Sequence, residues 1–81
     1  MRFKQIKWQK AETTSSGMTK MVGNTPMGDF IITWRMVGAS PVPFLEETPW
    51  DKDLGKMFAT GQDVTRACDA MWMAKLGEFL E

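Results

Sequence analysis

The chain has 81 residues, 10 basic and 10 acidic side chains, one cysteine and no histidine or tyrosine. That length suits one small domain spanning 1–81, and a domain this size buries only about 60–65% of its unfolded surface, so it is marginally stable. A single cysteine excludes an internal disulfide, and without histidine or a CxxC pair no ordinary zinc site can form.

The N-terminus, MRFKQIKWQK, carries no apolar core of a signal peptide, and no apolar run approaches the roughly 20 residues of a membrane-spanning helix. The expectation is a soluble, cytoplasmic protein without membrane contact. Phe3 to Lys10 alternates at Ile6 and Trp8 and reads as a strand. Ala11 to Gly17, AETTSSG, reads as a polar loop.

Met18–Asn24 and Asp29–Met36 flank Thr25-Pro26-Met27-Gly28. Proline presets φ at the first corner and glycine suits a left-handed bulge, so the spacing predicts a three-residue hairpin loop. That register sets Thr25 opposite Asp29, Val22 opposite Ile32, Lys20 opposite Trp34 and Met18 opposite Met36. One face then carries Met18, Val22, Phe30, Ile32, Trp34 and Met36, with the stem of Lys20 along Trp34. The other carries Thr19, Met21, Gly23, Ile31, Thr33 and Arg35.

Val37 to Pro43 reads as a break, because Pro41 and Pro43 cannot donate to a ladder. Phe44–Glu47 is a short strand, TPWDKD at 48–53 a turn, and Leu54–Phe58 a last strand. Thr60 and Asp63 form a T-x-x-D capping pattern at the head of a helix over about 61–79. Its apolar stripe is Val64, Ala67, Cys68, Met71, Trp72, Leu76 and Phe79. The fold expected is α+β: an antiparallel meander of three to five strands within 3–58, packed against one C-terminal helix.

With no histidine, a general acid or base would have to be a carboxylate, a lysine or Cys68, and a chain this small has little room to bury one beside a pocket. The reading is therefore non-catalytic, with no cofactor and no metal. Cys68 falls inside the helix stripe and reads as a small buried hydrophobe. Trp8, Trp34 and Trp72 read as core, and Met18, Met36, Met57 and Met71 as filling core gaps.

Ile31, on the face away from the helix, asks for a different account. With Met21 across the strand pair it makes an apolar spot that Thr33 and Arg35 extend, a candidate docking surface for a protein. Met27, at a turn tip, and Met73, on the wet side of the helix, sit where structure does not ask for methionine. Trp50 lies in a turn, where it either staples the loop or anchors a partner. Glu46, Glu47, Asp51 and Asp53 form an acidic cluster suited to steering a basic partner.

Residues 1–40 hold six basic side chains against two acidic ones, and residues 41–81 four against eight. The basic half supports an alternative, a sheet-based nucleic-acid-binding module using Lys4, Lys7, Lys10, Lys20 and Arg35. The net charge of zero counts against it. A third reading is a small virion component or a self-associating protein, with a homodimer as one form.

A tryptophan-bearing first strand, Thr25-Pro26-Met27-Gly28-Asp29-Phe30-Ile31-Ile32, and Phe58-Ala59-Thr60 before the amphipathic helix Val64–Leu76 together resemble small accessory proteins of phage and prophage genomes. That group includes inhibitors of host defence such as anti-CRISPRs. The resemblance implies a stoichiometric binder of a larger host protein or ribonucleoprotein complex, acting in the host cytoplasm. It rests on fold-forming residues, so it transfers no functional residue, and segment 37–53 is longer than the usual connection.

Overall fold

A computed structural model describes residues 6–14 and 17–79. Its strands are β1 (Lys7–Trp8), β2 (Glu12–Thr13), β3 (Thr19–Thr25), β4 (Gly28–Val37), β5 (Ser40–Glu47) and β6 (Lys56–Met57), followed by the helix α1 (Gly61–Phe79). All pairings are antiparallel, in the order β1-β3-β4-β5-β6, with β2 beside β1 along the same edge of β3. The fold is the expected α+β meander with a C-terminal helix, with more strands than expected. The part of the predicted first strand before Ile6, including Lys4, lies outside the described residues. Glu12–Thr13 forms a short strand where a polar loop was expected.

The first hairpin differs from expectation in register. Thr25 pairs with Gly28, Asn24 with Asp29, Val22 with Ile31, Met21 with Ile32 and Lys20 with Thr33. The connection is the two residues Pro26 and Met27. Local chemistry explains the closure: Thr25 Oγ1 donates to the Gly28 carbonyl at 2.7 Å and accepts from the Met27 N–H at 3.2 Å. Asn24 Nδ2 donates to Asp29 Oδ1 at 2.8 Å, tying the next pair. Gly28 does take a φ of +138°, open to glycine, but as a paired residue rather than a bulge.

Because side chains alternate with period two, this one-residue shift moves all of β3 to the other face. Met21 therefore lies on the helix side with Ile32 and packs against the core. Lys20 and Val22 lie on the opposite face, with Thr33 and Ile31. Met21, expected on the same face as Ile31, is thus corrected to the helix side, and the β3 neighbour of Ile31 on the outer face is Val22.

The second correction concerns Val37–Pro43, which is not a break. Val37 pairs with Ser40 across Gly38 and Ala39, and Gly38 has φ +65° at the first central position, the pattern of a type II′ hairpin turn. Pro41 and Pro43 lie within β5. A strand residue points its nitrogen and its carbonyl toward the same side. The Pro43 carbonyl accepts from Phe58 N–H at 2.9 Å, away from β4, so the Pro43 nitrogen also faces away from β4. Pro41, two residues earlier, has the same orientation, and neither proline removes a rung of the β4–β5 ladder.

At the far end of that ladder Ile32 pairs with Leu45 and Ile31 with Glu47, leaving Glu46 as an extra, bulged residue. Thr48 and Asp51 then close the expected turn, with Thr48 N–H donating to the Asp51 carbonyl at 2.7 Å.

The helix begins as its cap dictates: Asp63 N–H donates to Thr60 Oγ1 at 3.1 Å. It lies on one sheet face, where Val64, Cys68 and Trp72 meet Ile6, Phe30, Ile32 and Leu45 in the core. Trp8, Trp34, Phe58, Met71 and Leu76 pack against that cluster. Gly23 is a close-approach site: a Cβ there would come within 2.6 Å of the Trp8 ring and 2.7 Å of Ile6. Among the four methionines expected in core gaps, only Met71 fits. Met18, Met36 and Met57 are 36%, 65% and 57% exposed. Met36 lies beyond the last β3–β4 pair, Thr19 with Trp34, so no β3 residue is registered beside it.

Candidate functional site

The sheet face away from α1 is built by alternation. From β3 it takes Lys20, Val22 and Asn24; from β4 Asp29, Ile31, Thr33 and Arg35; from β5 Val42 and Phe44; and from β6 Met57. The bulge adds Glu46 to the same face, beside Glu47 opposite Ile31. Val22, Ile31, Val42 and Phe44 are half-buried by their neighbours alone, and Met57 is exposed. Ile31 is thus neither sealed in the interior nor an isolated apolar residue.

Polar groups on this face are tied across strands. Arg35 Nε donates to Glu46 Oε2 at 2.8 Å and Arg35 Nη2 to Oε1 at 2.5 Å. Thr33, buried, donates its hydroxyl to Glu46 Oε2. The Arg35 guanidinium also lies 4.7 Å from the centre of the Phe44 ring. Burial pushes the Glu46 carboxyl up, but the hydrogen bonds from Arg35 and Thr33 and the Arg35 charge outweigh it and hold it below its ordinary range. Toward the first hairpin turn, Gln9 Nε2 donates to Asn24 Oδ1 at 2.6 Å, which continues to Asp29. At the β1–β2 margin a shallow groove is lined by Lys10, Glu12, Thr13, Lys20 and Val22, among others.

The structure brings together some of the expected contact residues and separates others. Ile31, Arg35, Glu46 and Glu47 share the outer face. Met21 does not reach it. Trp50 lies on the helix side: its ring meets Phe30 edge-on at 5.7 Å between centroids, and Lys75 Nζ sits 5.4 Å from its centre. Trp50 therefore staples the Thr48–Asp51 turn to the core while staying 40% exposed. Met27 is exposed at the hairpin tip, and Asp51 and Asp53 are exposed in the turn, where Asp53 N–H donates to Asp51 Oδ1 at 3.1 Å.

Of the nucleic-acid candidates, Lys7 pairs with Asn24 and so shares the outer face with Lys20, near Lys10. Arg35 is engaged by Glu46. Val22 and Val42 were missed because a wrong register hid the first and an expected break the second. A donor–acceptor match between Asn24 and Asp29 was the legible signal for the true register.

Cys68 is buried, and burial, with a smaller contribution from the Asp69 charge, pushes its thiol up to about 12. Among the described residues no cluster of His, Cys, Asp and Glu could hold a metal ion, and no helix is long and apolar enough to cross a membrane. No protein-family model, curated protein or solved structure matches this chain.

Proposed function

We propose that this chain is a non-catalytic, stoichiometric protein-binding module whose contact surface is the outer face of the sheet. The observation that carries this reading is that Val22 and Ile31, and beyond Thr33 and Glu46 also Val42, Phe44 and Met57, lie on the face that α1 does not cover. Charges of both signs, Lys20 and Arg35 with Glu46 and Glu47, are interspersed among these apolar residues, a mixed composition that suits a non-obligate protein interface. Among the described residues, the two displaced ionisable groups support a role without catalysis. Glu46 is held ionised and Cys68 is held protonated, the reverse of an acid or a nucleophile poised near neutral pH.

In its finer form the proposal is an accessory protein of phage or mobile-element type that binds a larger host protein or ribonucleoprotein complex in the host cytoplasm. There it inhibits a defence complex by occlusion, as anti-CRISPRs do. The sequence resemblance supports that form.

The test compares Ile31→Glu and Met57→Glu with Arg66→Glu, an exposed change on the helix. A partner captured by the native chain is expected to be lost by the first two variants and kept by the third. Equal retention by all three, with each folded by circular dichroism, overturns the reading.

One observation favours a second reading. The observed register gathers Lys7, Lys10 and Lys20 along one margin of the outer face. A nucleic-acid complex there would give a mobility shift at low salt that weakens steeply as salt is raised. Glu12 and Asp29 stand among those lysines, which is why protein binding is the leading proposal.

A further inference from the structure

A slot of about 260 Å³ opens between β1 and α1, lined by Ile6, Trp8, Asp69, Trp72 and Met73. Trp8 and Ile6 belong to the helix side of the sheet, where both crowd Gly23. Trp72 is 2% exposed and forms the floor. Asp69 and Met73 are exposed and stand one helical turn apart, so they share an edge of the helix at the mouth. The slot is therefore separate from the outer sheet face.

Its chemistry is specific. Indole rings attract cations through their negative faces, and a carboxylate at the rim supplies the opposite charge. The volume falls below the roughly 300–1,000 Å³ of sites for drug-sized molecules and suits the end of one side chain. Asp69 makes no ion pair among the described residues. Its field also reaches inward, adding to the effect of burial on Cys68.

We propose that this slot receives a lysine side chain of a partner protein, with the ammonium group at Asp69 and the aliphatic stem against Trp8 and Met73. A methionine at the mouth fits such a stem, since its flexible, polarisable side chain adapts to what it covers. This also gives the exposed Met73 a role that the outer face does not. The proposal stands apart from outer-face docking: Ile31→Glu leaves the slot untouched, and Asp69→Asn leaves the outer face untouched.

The test uses the intact chain and two small probes, read by the indole N–H signals in a nuclear magnetic resonance titration, with Trp8→Phe assigning one of them. N-acetyl-lysine amide is expected to shift the Trp8 signal at low salt. N-acetyl-norleucine amide, which keeps the stem and lacks the charge, is expected to bind about tenfold more weakly. Asp69→Asn, at an exposed helix position, is expected to abolish that preference while the remaining signals stay in place. Equal binding of the two amides by the native chain overturns the proposal. So does the absence of any indole shift, or a lysine preference that survives in Asp69→Asn.

Discussion

On the helix side of the sheet, Phe30, Ile32 and Leu45 have no solvent exposure and meet Val64, Cys68 and Trp72. On the other side, Val22, Ile31 and Phe44 keep part of their surface in water, and the polar groups around them are tied in pairs across strands. Ile31 and Ile32 are chemically identical neighbours with opposite fates. The difference teaches that alternation along the strand, more than hydrophobicity, decides which apolar residue builds the core and which remains available to another molecule.

The sharpest way to break the comparison is to truncate one residue on each side. Leu45→Ala is expected to cost about 2–5 kcal/mol, since it leaves a cavity among fully buried neighbours. Ile31→Ala, from a half-exposed site, is expected to cost about 1 kcal/mol. Urea denaturation of both variants measures the gap, and equal costs would mean that the two faces are not distinct.

A smaller effect is expected at Gly23→Ala. The added methyl meets the rigid Trp8 ring, and overpacking of this kind costs about 1–3 kcal/mol. The adjacent outer residue offers the contrast, because Val22→Thr changes a half-exposed side chain and is expected to cost less. Thermal denaturation of the pair checks the order.

Thr60→Ala tests the helix that distinguishes the two faces. Losing the hydroxyl that accepts from Asp63 N–H is expected to cost about 1 kcal/mol without altering the outer face. Retention of any partner bound through Ile31, with a lowered unfolding midpoint, would sharpen the separation.

The smallest effect is expected at Glu46, through pH. Its carboxyl titrates in the folded chain below its ordinary value of 4.5, so its contribution is present above that pH and is lost as the pH falls through the lowered value. Glu46→Gln is expected to lower stability at neutral pH and to differ less and less from the native chain as the solution is acidified through the lowered value. Denaturation curves at a series of pH values check this, and a difference independent of pH would remove the carboxylate from the account.

The helix was legible because its signals agree: a cap at Thr60, an apolar stripe from Val64 to Leu76, and no proline within it. The first hairpin was legible as an object and misread in register, because Gly28 suits both a bulge and a regular pair. What decides between them is a set of side-chain hydrogen bonds at Thr25, Asn24 and Asp29 that hydrophobic alternation does not encode. β5 was half missed because proline usually breaks a ladder, and whether it does depends on which way its nitrogen points. The candidate surface was legible at Ile31 and Arg35 for the same reason that β4 was legible, its clean alternation. The slot between β1 and α1 was not, since it joins residues some sixty positions apart in the chain.

The two prolines of β5 have one more consequence. Beyond Pro43 toward the hairpin tip, no strand among the described residues lies beside this margin of the sheet, and Met36 and Val37 stand exposed nearby. Such a margin ordinarily templates the stacking of copy upon copy into fibrils. With a ring nitrogen where an amide hydrogen would be, Pro41 offers an incoming chain no donor, which removes one rung that such copy-on-copy pairing would need.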